Sequence, residues 1–175
     1  MKVLIIGGTG VTGIPLVKQL LAQGHELTLL HRGNYTAQVP AGVAQIIADP
    51  HAKGGLTDGL AGKKFDAAIA TYGRLRYVVQ QLIGVTERVI SVGGAAPIYK
   101  GFGEMTAVNP WETTEPTPLF LTEQHELSRA ETADIFSQMV RATEQQVMAM
   151  HQQGLLTITH FRYPLVYGPQ NLCPA

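Results

Sequence analysis

The chain has 175 residues, 45% of them hydrophobic and 15% charged, and its formal net charge is zero. That length fits one domain with a full core, and the charge balance argues against an electrostatic footprint for nucleic acid or an anionic membrane. No apolar run is long enough to span a membrane, the N-terminus has no basic–apolar–small signal pattern, and a lone Cys173 makes neither a disulfide framework nor a thiolate metal site, so a cytoplasmic globular protein is expected.

The first element is a strand at 2–6. Lys2 to Gly13 reads KVLIIGGTGVTG, an apolar run entering a glycine cluster, and a helical pattern follows over 11–23. A helix start offers unpaired backbone N–H groups and a positive dipole end to a phosphate. Gly7 lets the chain turn, Gly10 lets the backbone approach a pyrophosphate, and Gly13 lets the helix pack on the strand. Thr9, Val11 and Thr12 belong to the same loop. The spacing is G-x-x-G-x-x-G, not the commoner G-x-G-x-x-G. Pro15 lies where only the first helical turn tolerates a missing N–H.

A second strand at 26–31 ends in His31-Arg32-Gly33. In dinucleotide-binding sheets an acidic residue at this end holds the ribose 2′-OH of NAD. Here a histidine and an arginine stand instead, and a guanidinium suits the 2′-phosphate of NADP. NADP is therefore expected over NAD.

Further strands are expected at 43–48, 65–70, 87–92 and 155–161, and helices at 74–83 and 128–152, with a short one at 56–61. This alternation of strand and helix implies a parallel sheet covered on both faces. Right-handed crossovers make it a doubly wound α/β sheet, a Rossmann fold of order 3-2-1-4-5-6. Thr71-Tyr72-Gly73 ends the fourth strand, a position along the cofactor ribose in such a sheet. The stretch 97–127 breaks the pattern. It carries four prolines, Trp111 and five glutamates against the single Lys100, a loop at the ligand edge of the sheet. Ala133, Phe136, Val140, Thr143, Val147 and Met150 recur at helical spacing, a stripe for the core or for a homodimer contact through 128–152.

Four segments resemble the short-chain dehydrogenase/reductase superfamily, in its extended and atypical branch of epimerase/dehydratase type. GGTGVTG is similar to that branch's nucleotide loop, and HELTLLHRG to its second strand in NADP-preferring members. RVISVGGAAPIYKG (88–101) is similar to its fifth strand and the loop after it. LTITHFRYPLVYGPQN (156–171) is similar to its sixth strand and the segment beyond, through Arg162, Pro164, Tyr167, Gly168 and Pro169. The resemblance implies a single NADP-binding domain over 1–175. The family's C-terminal substrate domain would then lie outside this chain.

The resemblance also locates departures. Active members carry Tyr-x-x-x-Lys on the helix before the sixth strand, where the lysine tunes the tyrosine for acid–base work. Aligning Glu144 with the family's helix glutamate puts Phe136 at the tyrosine and Val140 at the lysine. The family's serine or threonine after the fifth strand falls on Gly93-Gly94. The resemblance gives Asp49 an adenine contact, helped in the family by the next backbone N–H, which Pro50 lacks.

Tyr99, beside Lys100 after the fifth strand, is a further candidate donor to a carbonyl. His125-Glu126 reads as helix-entry capping, and His25 and His160 as structural. His31, His51 and His151 have no metal-ligand spacing. Three functional readings remain. The chain is an NADP-dependent reductase or epimerase/dehydratase-like oxidoreductase with degenerate catalytic residues, a catalytically inactive NADP-binding regulator, or an RNA-binding member like the chloroplast stem-loop-binding proteins. Zero net charge disfavours the third.

Overall fold

The computed structural model describes residues 1–10, 12–34, 39–52, 54–71, 74–94, 99–100, 121–127 and 135–163. Its elements in chain order are β1 (Lys2–Ile6), α1 (Gly13–Ala22), β2 (Glu26–His31), β3 (Ala44–Ile47), α2 (Gly55–Gly59), β4 (Ala67–Ala70), α3 (Leu75–Gln80), β5 (Arg88–Gly94), α4 (Ile135–Gln152) and β6 (Thr157–Tyr163). The strands form one sheet in the order β3-β2-β1-β4-β5-β6, and every neighbouring pair is parallel. This is the doubly wound order expected from the alternation of elements. All six strands therefore end at one edge.

Alternation along the strands sorts the core into two layers. Leu4, Ile6, Ala68, Val89 and Ile158 face α2, α3 and α4, where they meet Leu56, Val78 and Val147. Val3, Ile5, Leu27, Leu29 and Ile69 face the other way, against Val17 of α1. The expectation of cover on both faces needs correction at both edge strands: on β3, Ala44, Gln45 and Ile47 are exposed. On β6 the residues of the α1 face, Thr157, Thr159, Phe161 and Tyr163, are all exposed, and Phe161 keeps 52% of its surface. Helix α1 packs against β2 and does not reach across to the far edge.

Element boundaries shift for local reasons. Strand β6 starts two residues later than its apolar run suggests because Leu155 belongs to the stop of α4. The Gly154 N–H donates to the His151 carbonyl and the Leu155 N–H to the Met150 carbonyl. With Gly154 at φ 71° this is a Schellman ending. The same motif closes α1 through Gly24 and His25. Helix α3 starts at Leu75, one residue later than expected, since Arg74 sits at φ 57° in the left-handed region. Strand β5 runs two residues past its expected end, so that Gly93 pairs with Arg162 and Gly94 with Tyr163. Pro15 is the third residue of α1, inside the first turn that needs no N–H from it. The first turns of the expected helix over 128–152, with Ala133, lie outside the described residues.

The joint between β1 and α1 is closely packed. A Cβ on Gly13 would lie 2.3 Å from the Gly8 backbone, whereas one on Gly10 would meet nothing within 4 Å. Gly13→Ala is expected to destabilise the protein by about 2 kcal/mol or more, in the range of overpacked core sites. Gly10→Ala should stay within about 0.5 kcal/mol of the parent. Urea unfolding of the two variants checks the contrast, and equal losses would contradict it.

Candidate functional site

The glycine loop opens at Ile6, the last residue of β1. Gly7 turns the chain at φ 93°, and its N–H still donates to the Leu30 carbonyl, extending the ladder with β2. Gly8 follows at φ 75°, and a Cβ there would press to 2.8 Å on Leu29 and 2.9 Å on Ile5. Glycine is required at Gly8 for conformation and for space, a demand the 7-10-13 spacing did not single out. The carbonyl of Gly10 accepts the N–H groups of Gly13 and Ile14, while Thr12 caps α1 without a side-chain bond. Thr9 and Gly10 thus form a rim of backbone over the N-terminus of α1. Val11 lies outside the described residues.

At the end of β2 the structure ties the His31 side chain into the fold. Its side chain is buried, at 3% exposure. Nε2 meets Gln45 Oε1 at 3.0 Å and Nδ1 accepts the Gly33 N–H at 3.1 Å. Both ring nitrogens hold the strand end and the turn after it, so of the expected pair Arg32 is the more exposed one. Across the edge, Asp49 Oδ1 accepts the His51 N–H at 2.9 Å, a bond that passes over Pro50. Burial holds the His51 imidazole below its ordinary value. Arg74 and, more weakly, Arg32 push it the same way, and Asp49 opposes them. Arg32, Asp49, His51 and Arg74 thus share one electrostatic neighbourhood. Thr71 turns its hydroxyl to the Ile6 carbonyl at 3.2 Å, beside the glycine loop. Tyr72 is outside the described residues.

The three positions at which the resemblance places catalytic groups come together. Gly94, Phe136 and Val140 line one cavity of about 300 Å³, whose wall also includes Thr71, His160 and Glu144. Its side chains at 136 and 140 are apolar. Phe136 is 59% exposed and Val147 fully buried, so the expected stripe of α4 is core at its C-terminal half and surface at its start.

Behind this cavity lies a polar network that joins β5, β6 and α4. Ser91 and His160 are register partners, and Ser91 Oγ lies 2.8 Å from His160 Nδ1. His160 Nε2 lies 3.6 Å from Glu144 Oε2. Arg162 donates to both oxygens of Glu144, at 2.7 and 2.9 Å, and to the Tyr99 hydroxyl at 2.9 Å. The Glu144 bond is the main reason the Arg162 guanidinium is held above its ordinary value. Tyr99 is buried at 5% exposure, edge-on to His125 and beneath Arg162. It lines a second cavity, of about 590 Å³, away from Gly94 and Phe136. Glu126 forms an exposed pair with Lys100. The Ser91–His160 pair was legible only as two polar residues at inward positions of apolar strands, since nothing along the chain fixes the register that joins them. A separate cavity beside Asp66 and Glu87 lies at the opposite edge of the sheet. Among the described residues no cluster could hold a metal ion, and no helix is long and apolar enough to cross a membrane.

No family model matches the chain. The bifunctional pinoresinol-lariciresinol reductase of Forsythia intermedia is 71% identical over 31 residues, which are 18% of this chain and 10% of that protein. Solved structures match over nearly the whole chain. The UDP-glucose 4-epimerase of Thermotoga maritima superposes with a TM-score of 0.74 at 14% identity over 97% of this chain. That of Thermus thermophilus, solved with NAD, gives 0.68 at 20% over 98%. A short-chain dehydrogenase/reductase superfamily protein from Agrobacterium tumefaciens with bound NAD gives 0.66 at 14% over 93%. The chain spans 57% of the length of each of the two epimerases. It shares the Rossmann-like fold of these structures.

The buried network sets a pH dependence. Burial, the largest cause, and Arg162 hold His160 below its ordinary 6.5, with Glu144 opposing. The folded protein thus keeps His160 neutral where the unfolded chain already binds a proton. Stability is full above 6.5 and falls as pH drops toward the lower folded value. His160→Gln is expected to flatten this acid limb, measured as the change in unfolding free energy across the histidine range. An unchanged limb would show that His160 is not its source.

Proposed function

We propose that this chain binds a nicotinamide dinucleotide across the C-terminal edge of its sheet, with NADP preferred over NAD. One observation carries the reading. A Cβ on Gly10 would meet nothing, while on either side of it, at Gly8 and Gly13, a Cβ cannot fit. The loop is thus packed rigidly beneath and open above, at the N-terminus of a ten-residue helix. That is the geometry a pyrophosphate needs for backbone N–H contacts. The residues present fit the group: Gly7, Thr9, Gly10, Thr12 and Gly13 for the pyrophosphate, Asp49 toward the adenine, Thr71 toward the ribose, and Arg32 for the 2′-phosphate. Val11 and Tyr72 stay candidates from the sequence.

The NADP preference rests on the missing acid and on Arg32 at the end of β2. The Thermus and Agrobacterium structures contain NAD, which supports the cofactor class but not the preference for NADP. Bound here, the nicotinamide would supply or accept hydride. The protein's part would be to place it against the cavity of Gly94, Phe136 and Val140. None of these three side chains can carry a proton, and hydride chemistry on a carbonyl needs a donor beside the oxygen. This favours an epimerase/dehydratase- or reductase-like protein whose catalytic positions are degenerate. It equally gives weight to a second reading, a regulator in which NADP occupancy shifts a partner contact, such as a homodimer through α4.

Calorimetric titration with NADPH and NADH tests the proposal. NADPH is expected to bind more tightly, and Arg32→Ala should weaken NADPH by about tenfold or more while leaving NADH within about twofold, as for a lost charge-assisted hydrogen bond. Equal effects on the two would overturn the role of Arg32, and no binding of either would overturn the dinucleotide reading.

A further inference from the structure

We propose that the cleft between the residues leading into α2 and helix α3 binds a phosphate group, with the guanidinium groups of Arg74 and Arg76 as its donors. The cleft has a volume of about 510 Å³, and its wall includes Pro50, His51, Arg74, Arg76, Tyr77 and Gln81. None of the described residues lining it is a carboxylate. In a chain of zero formal net charge, two guanidinium groups line this cleft; they also border the cavity that includes Glu144, but that carboxylate is taken up by Arg162, so the cleft is locally positive. Its natural complement is an anion with several acceptor oxygens.

Two further observations support the assignment. Arg76 lies over the Tyr77 ring at 4.8 Å and donates from Nη2 to the Tyr77 hydroxyl at 3.2 Å. This fixes the plane of a fork whose geometry suits phosphate. Arg74 is the only non-glycine residue with positive φ among the described residues, a strained conformation for a residue that carries a side chain. Glycine would relieve that strain, yet an arginine stands there. Arg74 acts on His51 across the cleft, with Asp49 opposing it and Arg32 adding more weakly, so the cleft lies next to the charges at the end of β2. The volume exceeds what one phosphate fills, and the Tyr77 ring and Pro50 offer apolar surface. A phosphorylated molecule with a body therefore fits better than the bare ion.

The same phosphate chemistry has two sources, the dinucleotide itself or a separate phosphorylated ligand. Only the first rests on the cofactor reading above. The probe is inorganic phosphate, titrated at low ionic strength into the parent protein, Arg74→Gly, Arg76→Gln and the double variant, first alone and then with saturating NADPH or NADH. Arg74→Gly relieves the backbone while deleting the charge, so it should fold at least as stably as the parent, which thermal unfolding verifies.

The parent is expected to bind phosphate in the millimolar range and the double variant about tenfold more weakly, one charge-assisted contact's worth. Loss of phosphate binding with NADPH but not NADH assigns the site to the 2′-phosphate. Loss with both assigns it to the pyrophosphate. Retention with both assigns it to a separate phosphorylated ligand. Should neither dinucleotide bind, the phosphate titration alone decides. Absence of phosphate binding at tens of millimolar, or equal binding by parent and double variant, overturns the proposal.

Discussion

The contact between the backbones of Gly8 and Gly13 is the constraint on which the ligand edge depends. It sets how closely α1 approaches the end of β1, and so where the helix N-terminus and its N–H groups stand. With α1 held by Val17 against Ile5 and Leu29, the loop cannot rise without opening the core layer beneath it. Gly7 and Gly8 supply the positive-φ turn, and Gly10 leaves the outer side bare. The loop is thus rigid where the protein needs it and empty where a ligand would lie. Binding there would cost little conformational ordering.

The other half of the edge is organised by charge. Arg162 is clamped to both oxygens of Glu144 and to Tyr99, which ties β6 to α4 and to the segment after β5. A partly buried, bidentate pair of this kind fixes geometry more than it adds net stability. Here it holds the wall shared by two cavities. His160 and Ser91 fill the inward positions between them. Gly93 is the accommodating residue, since a Cβ there would lie 2.8 Å from the His160 ring. Gly93, one of the glycine pair that stands where the resembling family has a hydroxyl, is thus part of how the histidine is housed.

Much of this was legible in the chain. The apolar runs 2–6 and 26–31 and the alternation of strand and helix suffice for the sheet order, because parallel strands buried on both faces leave a strong signal. The loop glycines were legible as a turn, but the demand at Gly8 was not, since it arises from Leu29 on the neighbouring strand. His31 read as a ligand because its place at a strand end is visible along the chain, whereas Gln45 becomes its neighbour only in the fold. The start of β6 was misplaced because Leu155 and Leu156 look like one apolar run, and only the Gly154 hydrogen bonds separate helix stop from strand. Along the chain Arg74 and Arg76 are only single basic residues. Their significance lies in facing one cleft, which no spacing in the sequence reports.

Amide chemical-shift mapping with NADPH tests most directly whether a dinucleotide rests on the edge above the glycine loop. The expected result is a set of perturbations concentrated on Thr9, Gly10, Thr12, Gly13, Arg32 and Asp49, with the amides around Asp66 and Glu87 at the opposite edge unmoved. Perturbations centred on that opposite edge, with the loop silent, would contradict the account.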